Sequence, residues 1–202
     1  MKSFKEKKTV LKRAAALFVS AAMVFCVFGC GKSQDSPAES EKDETSYKEA
    51  VDVLNTVLHA YSEDELFAVA GGDVENAVMD APGRFDISKT EELDTTLGLP
   101  ATLAADIEDA ASMVHMMNAN TFTGAAYRLK DGTDSDAFVD AVKSNILSRQ
   151  WICGQPDTLL IIQADKSYVI TAFGEAEIMK VFKENALSAL DGAKVIAEES
   201  IE

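Results

Sequence analysis

The order of hydrophobic patterns in the second half of the chain restricts its fold most. Thr158 to Gln163 and Ser167 to Phe173 are two runs rich in β-branched and aromatic residues, and Ala164-Asp165-Lys166 between them reads as a hairpin turn. Ahead of the pair, about Asp134 to Arg149 has helical period, with Phe138, Val142 and Ile146 inward. Behind it, Glu175 to Leu190 carries Ile178, Phe182, Ala186 and Leu190 on one face, and Gly192 stops that helix. Phe122 to Lys130, closed by the turn pair Asp131-Gly132, adds a strand before, and Lys194 to Glu198 adds one after. The order β-α-β-β-α-β is the split-βαβ, ferredoxin-like arrangement, which puts both helices on one face of an antiparallel sheet. The fold class is α+β, with N-terminal helices leading into this module.

Upstream, Ser46 and Glu49 form a capping box ahead of Ala50, Val53, Leu54, Val57, Leu58 and Tyr61 at helical spacing. Ser62 and Glu65 repeat the pattern before Leu66, Phe67 and Val69, and Gly71-Gly72 ends the second short helix it implies. Asp80-Ala81-Pro82-Gly83 reads as a turn, Thr90 to Leu97 as a short helix, and Pro100 as the opening of another. Residues 46–202 thus form one α+β domain, with 46–108 mainly helical and 109–202 containing the sheet. Asp109 to Met117 fits either a helix or a strand hairpinned with Phe122 to Lys130, and periodicity alone does not decide.

The N-terminus supplies an address. Lys2, Lys5, Lys7, Lys8, Lys12 and Arg13 precede an apolar run from Ala14 to Phe28, and Val27-Phe28-Gly29-Cys30 closes it. Residues 1–29 read as a lipoprotein signal peptide, with Gly29 as the small residue before the cut and Cys30 as the acylated residue. Phe28 is bulkier than the residue usual at its place in such a motif; Cys26 follows the large Phe25 and suits a peptidase less well. The apolar run is shorter than the roughly 20 residues that span a bilayer, which argues against a transmembrane anchor. Two acyl chains, each gaining about 0.8 kcal/mol per buried methylene, would hold the protein at the extracytoplasmic face of the cell membrane. From Gly31 to Thr45 the chain is polar and acidic, with nothing larger than alanine to bury, so residues 30–45 read as a lipidated, disordered tether.

Removing the leader leaves 13 basic against 33 acidic residues, a net charge of about −20. Such a surface repels nucleic acid and anionic headgroups, so the membrane contact is expected through the lipid alone. Once Cys30 is acylated, Cys153 is the sole thiol, and no intramolecular disulfide can form.

Met116-Met117-Asn118, Arg128-Leu129-Lys130-Asp131-Gly132, Arg149-Gln150-Trp151 and Ser167-Tyr168-Val169 resemble corresponding stretches of an uncharacterised family of small lipoproteins of Gram-positive bacteria, over about Leu97 to Leu187. The resemblance implies that the Met-Met-Asn stretch ends a strand. The family has no established activity, so it implies no catalytic residue.

Two clusters carry candidate chemistry. Trp151-Ile152-Cys153-Gly154-Gln155-Pro156 is superficially like a thioredoxin-type site, but a second cysteine is missing and the segment follows a helix rather than opening one. The simpler expectation is that Trp151 and Cys153 pack at a helix end. A Cys153 and His115 dyad is the one nucleophile and base arrangement available for a thiol-dependent enzyme. Met113, His115 and Met117 offer soft donors suited to monovalent copper, against a reading as core or cross-strand packing. Glycine-rich phosphate loops, zinc motifs and nucleotide fingerprints are absent from the sequence, and no cofactor is expected. The chain reads as a membrane-anchored surface lipoprotein, a non-catalytic module of the cell envelope that binds an envelope protein or a small ligand. The alternatives are a thiol enzyme using Cys153 and a copper-handling protein using the Met/His cluster.

Overall fold

The structure is a computed structural model and describes residues 47–202. The expected signal peptide, Cys30, the tether and the Ser46 cap lie outside the described residues. The first helix, α1 (Ala50–Leu58), has Glu49 rather than Ser46 as its N-cap. Asp52 Oδ2 accepts from Glu49 N–H at 3.2 Å, and Asp109 Oδ2 accepts from Ala50 N–H at 2.7 Å, so a carboxylate from the sheet serves one of the helix's orphan donors. Val53, Leu54 and Val57 bury as their spacing implies, and Tyr61 joins them from beyond the helix end.

Residues 62–72 overturn the expected second helix. Glu65 Oε2 accepts from Ser62 N–H at 3.0 Å and from Ser62 Oγ at 2.8 Å, so the capping pair forms. It closes only a turn, and Val69–Gly71 is strand β1. The reason lies in the glycines. Gly71 presses against Gly83, in strand β3 (Gly83–Arg84), so closely that a Cβ at either position would overlap backbone of the other strand. Gly71 thus serves a backbone crossing, not a helix stop. Between them lies β2 (Val78–Met79), and the expected turn over residues 80–83 returns the chain from β2 to β3 with Asp80 at φ 57°.

The remaining elements follow the hydrophobic pattern closely. They are α2 (Thr90–Leu97), a 3-10 helix (Ala101–Asp106) after Pro100, β4 (Ile107–His115), β5 (Phe122–Leu129), α3 (Ser135–Leu147), β6 (Thr158–Gln163), β7 (Tyr168–Gly174), α4 (Ala176–Ala189) and β8 (Lys194–Ser200). The ambiguous segment is a strand, and Met116 follows its last residue. Asp134 caps α3 by accepting from Asp136 N–H and Ala137 N–H.

The eight strands among the described residues join one open antiparallel sheet in the order β2-β1-β4-β5-β7-β6-β8, with β3 paired to β4 beside β1. Residues 46–108 therefore contribute three short strands to the sheet besides their helices. The ferredoxin-like expectation of two helices on one face gives way to a three-layer arrangement. α1 and α4 pack Val53, Leu54, Val57 and Phe182 over Met113, Phe122, Ile162 and Ile170; α2 and α3 pack Leu93, Leu97, Phe138 and Val142 over Tyr127, Leu159, Ile161 and Phe173.

Strand order explains the difference. A ferredoxin-like sheet returns its last strand to the open edge of the first, but here β4 holds that edge of β5 and β8 pairs with β6 instead. The crossovers β5-α3-β6 and β7-α4-β8 then step in the same direction across the sheet from strands of opposite direction. Right-handed connections place two such helices on opposite faces. With both faces covered, β6 and β7 are buried along nearly their whole length, which is why they read as continuous apolar runs rather than alternating ones.

Candidate functional site

The best-connected polar group among the described residues is Asp73, in the turn after β1. The residue is 2% exposed. Oδ1 accepts from Glu75 N–H at 3.0 Å and Lys89 Nζ at 2.6 Å, Oδ2 accepts from Asp86 N–H at 3.2 Å, and Asn76 Nδ2 donates to both oxygens at 3.0 Å. Burial alone would raise this carboxyl's pKa, but Lys89, Asn76 and the two backbone donors outweigh it and hold the group well below the usual carboxylate range. Lys89, with Asp73 and then Glu75 accepting from it, is held above its ordinary value. These bonds pull residues 73–76, 86 and 89 into one knot. Neither hydrophobic period nor a motif marks Asp73; the only local signal is Asp-x-x-Asn, an Asx-turn spacing.

Cys153 lies on the loop between α3 and β6 and is exposed. This corrects the expectation that it packs beside Trp151. Trp151 does pack, 5.2 Å from Phe173 ring to ring, with the Arg149 guanidinium 5.2 Å from its centroid. Arg149 also donates to the carbonyls of Asp94 and Thr95, serving the last turn of α2, so this cation is structural. Beyond Trp151 the chain turns outward: Ile152 is 94% exposed, and Gly154 has φ 79°. Asn120 Nδ2 donates to the carbonyls of Cys153 and Gly154, which fastens this loop to the one after β4.

His115 ends β4, its ring stacked on Phe67 at 5.5 Å and 18°, and its Nδ1 accepts from Met117 N–H at 3.2 Å. Among the described residues no hydrogen bond joins it to Cys153. The soft donors diverge: Met113 is sealed in the α1/α4 core, His115 sits at its rim, and Met117 is 85% exposed past the strand end. The helix-or-strand ambiguity hid this divergence.

Two other methionines lie along one apolar row of the sheet. Register places Val114 opposite Ala70 and Ala70 opposite Met79, so these three share one face of β4, β1 and β2. Met116 N–H donates to Ala68 O, which continues the row. None of Ala70, Met79, Val114 and Met116 belongs to either core cluster, and Met79 and Met116 are 56% and 42% exposed. This corner was hidden in the sequence because β1 and β2 are too short to show a period, and residues 62–72 suggested a helix.

Comparison with family models, with curated proteins and with solved structures finds no match to this chain.

Proposed function

We propose that this chain is a lipid-anchored protein of the extracytoplasmic face of the cell membrane, whose α+β domain is a non-catalytic binding or accessory module of the envelope. The N-terminal run ending in Val27-Phe28-Gly29-Cys30 carries the address. The resemblance of short stretches between about Leu97 and Leu187 to an uncharacterised family of small lipoproteins of Gram-positive bacteria agrees with that reading. No helix among the described residues is long and apolar enough to cross a membrane, so in this reading the acyl chains on Cys30 are the anchor. The observation that supports binding is the apolar row over β1, β2 and β4, where half-buried Ala70 and Val114 and exposed Met79 and Met116 lie outside both core clusters.

Labelling of the protein in its own cells with a tagged fatty acid tests the address. Cys30→Ser is expected to abolish the label; a label retained on that variant would overturn it. Membrane fractionation alone is a weaker test, because an uncleaved leader can hold the chain by itself.

One observation favours the thiol enzyme as a second reading: Cys153 is open to solvent, where a substrate can reach it. The copper reading has less support, because Met113, one of its three donors, is enclosed in the core.

A further inference from the structure

The uncovered corner has a sharp border, and the border carries charge. On the α2/α3 side of the sheet, β4 presents Ala110, Ser112 and Val114 in succession. Ala110 lies in the cluster beneath the helices. Ser112 lies beneath the turn after β1: its Oγ accepts from Gly72 N–H at 2.9 Å and donates to Gly72 O at 3.0 Å. Val114 lies beyond that turn, and the apolar row begins there.

The turn and the start of α2 form the wall. Val74 N–H donates to Glu92 Oε1 at 2.8 Å, joining the two. The wall presents Glu75, whose side chain is 78% exposed, with Glu91 and Glu92, and Asp80 follows Met79 directly. Its cation, Lys89, is shared among Asp73 at 2.6 Å, Glu75 at 3.0 Å and Glu92 at 3.9 Å, so one positive charge serves three carboxylates. Residues Ser88 to Glu92 line a shallow, open depression. The apolar row thus begins past a turn that the Val74 and Glu92 hydrogen bond and the Asp73 and Lys89 ion pair tie to this acidic stretch.

We propose that this corner docks a cationic amphipathic polypeptide segment of another protein. Its apolar side chains lie on Met79, Ala70, Val114 and Met116, and its lysines and arginines face Glu75, Glu91 and Glu92. Unbranched thioether side chains adapt to varied apolar partners, as such a surface requires. Charge selects the occupant. An anionic membrane or a nucleic acid meets repulsion here, and a second copy of this acidic chain brings net negative charge rather than a cationic face to it. The proposal rests on the binding-module reading above and names the partner's chemistry.

Methionine methyl NMR on the full chain tests it, with a 14-residue Lys/Leu amphipathic peptide as the probe and the same peptide with Glu for Lys as the control. The Met79 and Met116 signals are expected to shift saturably while Met113 and Met179 stay in place. The apparent affinity should fall at least tenfold with Glu75→Lys combined with Glu91→Lys, and at least tenfold with Met79→Glu. Unmoved Met79 and Met116 signals, or an equal response to the Glu peptide, would overturn the proposal. Signals that move on dilution without peptide would replace it with self-association. The titration does not depend on acylation. A failed titration with intact Cys30 labelling therefore removes the partner chemistry alone, and a missing label with a positive titration removes the address alone.

Discussion

The β1-β2-β3 corner and the β5-β7-β6 centre belong to one sheet, yet opposite means hold them. At the centre, Leu160, Ile162, Ile170 and Ala172 face α1 and α4 while Leu159, Ile161, Val169 and Phe173 face α2 and α3, so apolar burial on both sides fixes each strand. Fully burying a Val, Leu, Ile or Phe side chain contributes about 1.5–3 kcal/mol. At the corner, strands of two or three residues bury only one large apolar side chain, Val69; Gly71 against Gly83, Ser112 against Gly72 and the Asp73 knot do most to position them. Polar fastening lets a sheet extend without a helix above it. That is how an apolar row remains open at this edge.

The largest expected effect falls on the centre. Phe182 is fully buried and packs 5.1 Å from Phe122. Phe182→Ala should cost about 3–5 kcal/mol in chemical denaturation, with one cooperative transition retained. A loss below about 1 kcal/mol would remove α4 from the apolar centre.

The next effect falls where the two regions meet. A Cβ at Gly71 overlaps Gly83 backbone, so Gly71→Ala should cost about 1–3 kcal/mol through forced backbone shifts. Amide exchange should accelerate over residues 69–86 and stay slow in β5 and β7. Equal acceleration in both would show that corner and centre unfold as one unit.

Asp73→Asn sharpens the comparison through pH. The Asp73 carboxyl is depressed in the folded state, so the unfolded chain binds its proton first as pH falls. The stability that this carboxylate contributes is present above its unfolded value of about 4 and is lost progressively below it. The gap between the wild type and Asp73→Asn should therefore be constant above pH of about 4 and narrow beneath it. Its plateau should be about 1–3 kcal/mol, since the buried donors lose their charged acceptor. A gap that widens on acidification would contradict the assigned hydrogen bonds.

The same contrast explains what could be read from residues alone. Thr158 to Gln163 and the β6-β7 turn were legible as a continuous apolar run closed by turn residues, and Thr90 to Leu97 and both long helices by apolar residues at helical spacing. The face that each helix covers was not legible, because it depends on which strand takes the free edge of β5, and no local pattern encodes that choice. The second capping pair misled for a similar reason: Ser62 and Glu65 form their bonds, but the close backbone contact at Gly71 makes residues 69–71 a strand. Among the candidate site residues, Cys153 and His115 lie near the same end of the sheet, whereas Met113 is in the core. The open corner depends on strand register, which the short strands do not advertise.

The smallest expected effect is at Cys153, and it tests whether a loop outside both regions carries chemistry. Cys153 is exposed, its backbone carbonyl is held by Asn120, and its neighbour Ile152 is in solvent. Removing the thiol leaves no cavity and no buried polar group unpaired, so Cys153→Ser should change stability by less than about 0.5 kcal/mol. The native thiol should react with a charged maleimide at the same rate, within about threefold, as the denatured chain, since neither access nor an activating partner differs between the two states. Suppression well beyond that range would mean that the loop packs over the thiol. Acceleration well beyond it, together with loss of the cellular phenotype in both Cys153→Ser and Cys153→Ala, would favour the thiol enzyme over the binding module. His115→Gln then distinguishes a base from a bystander. A base lost from His115 would return the alkylation rate to that of the denatured chain, whereas a histidine that only stacks on Phe67 would leave the accelerated rate unchanged.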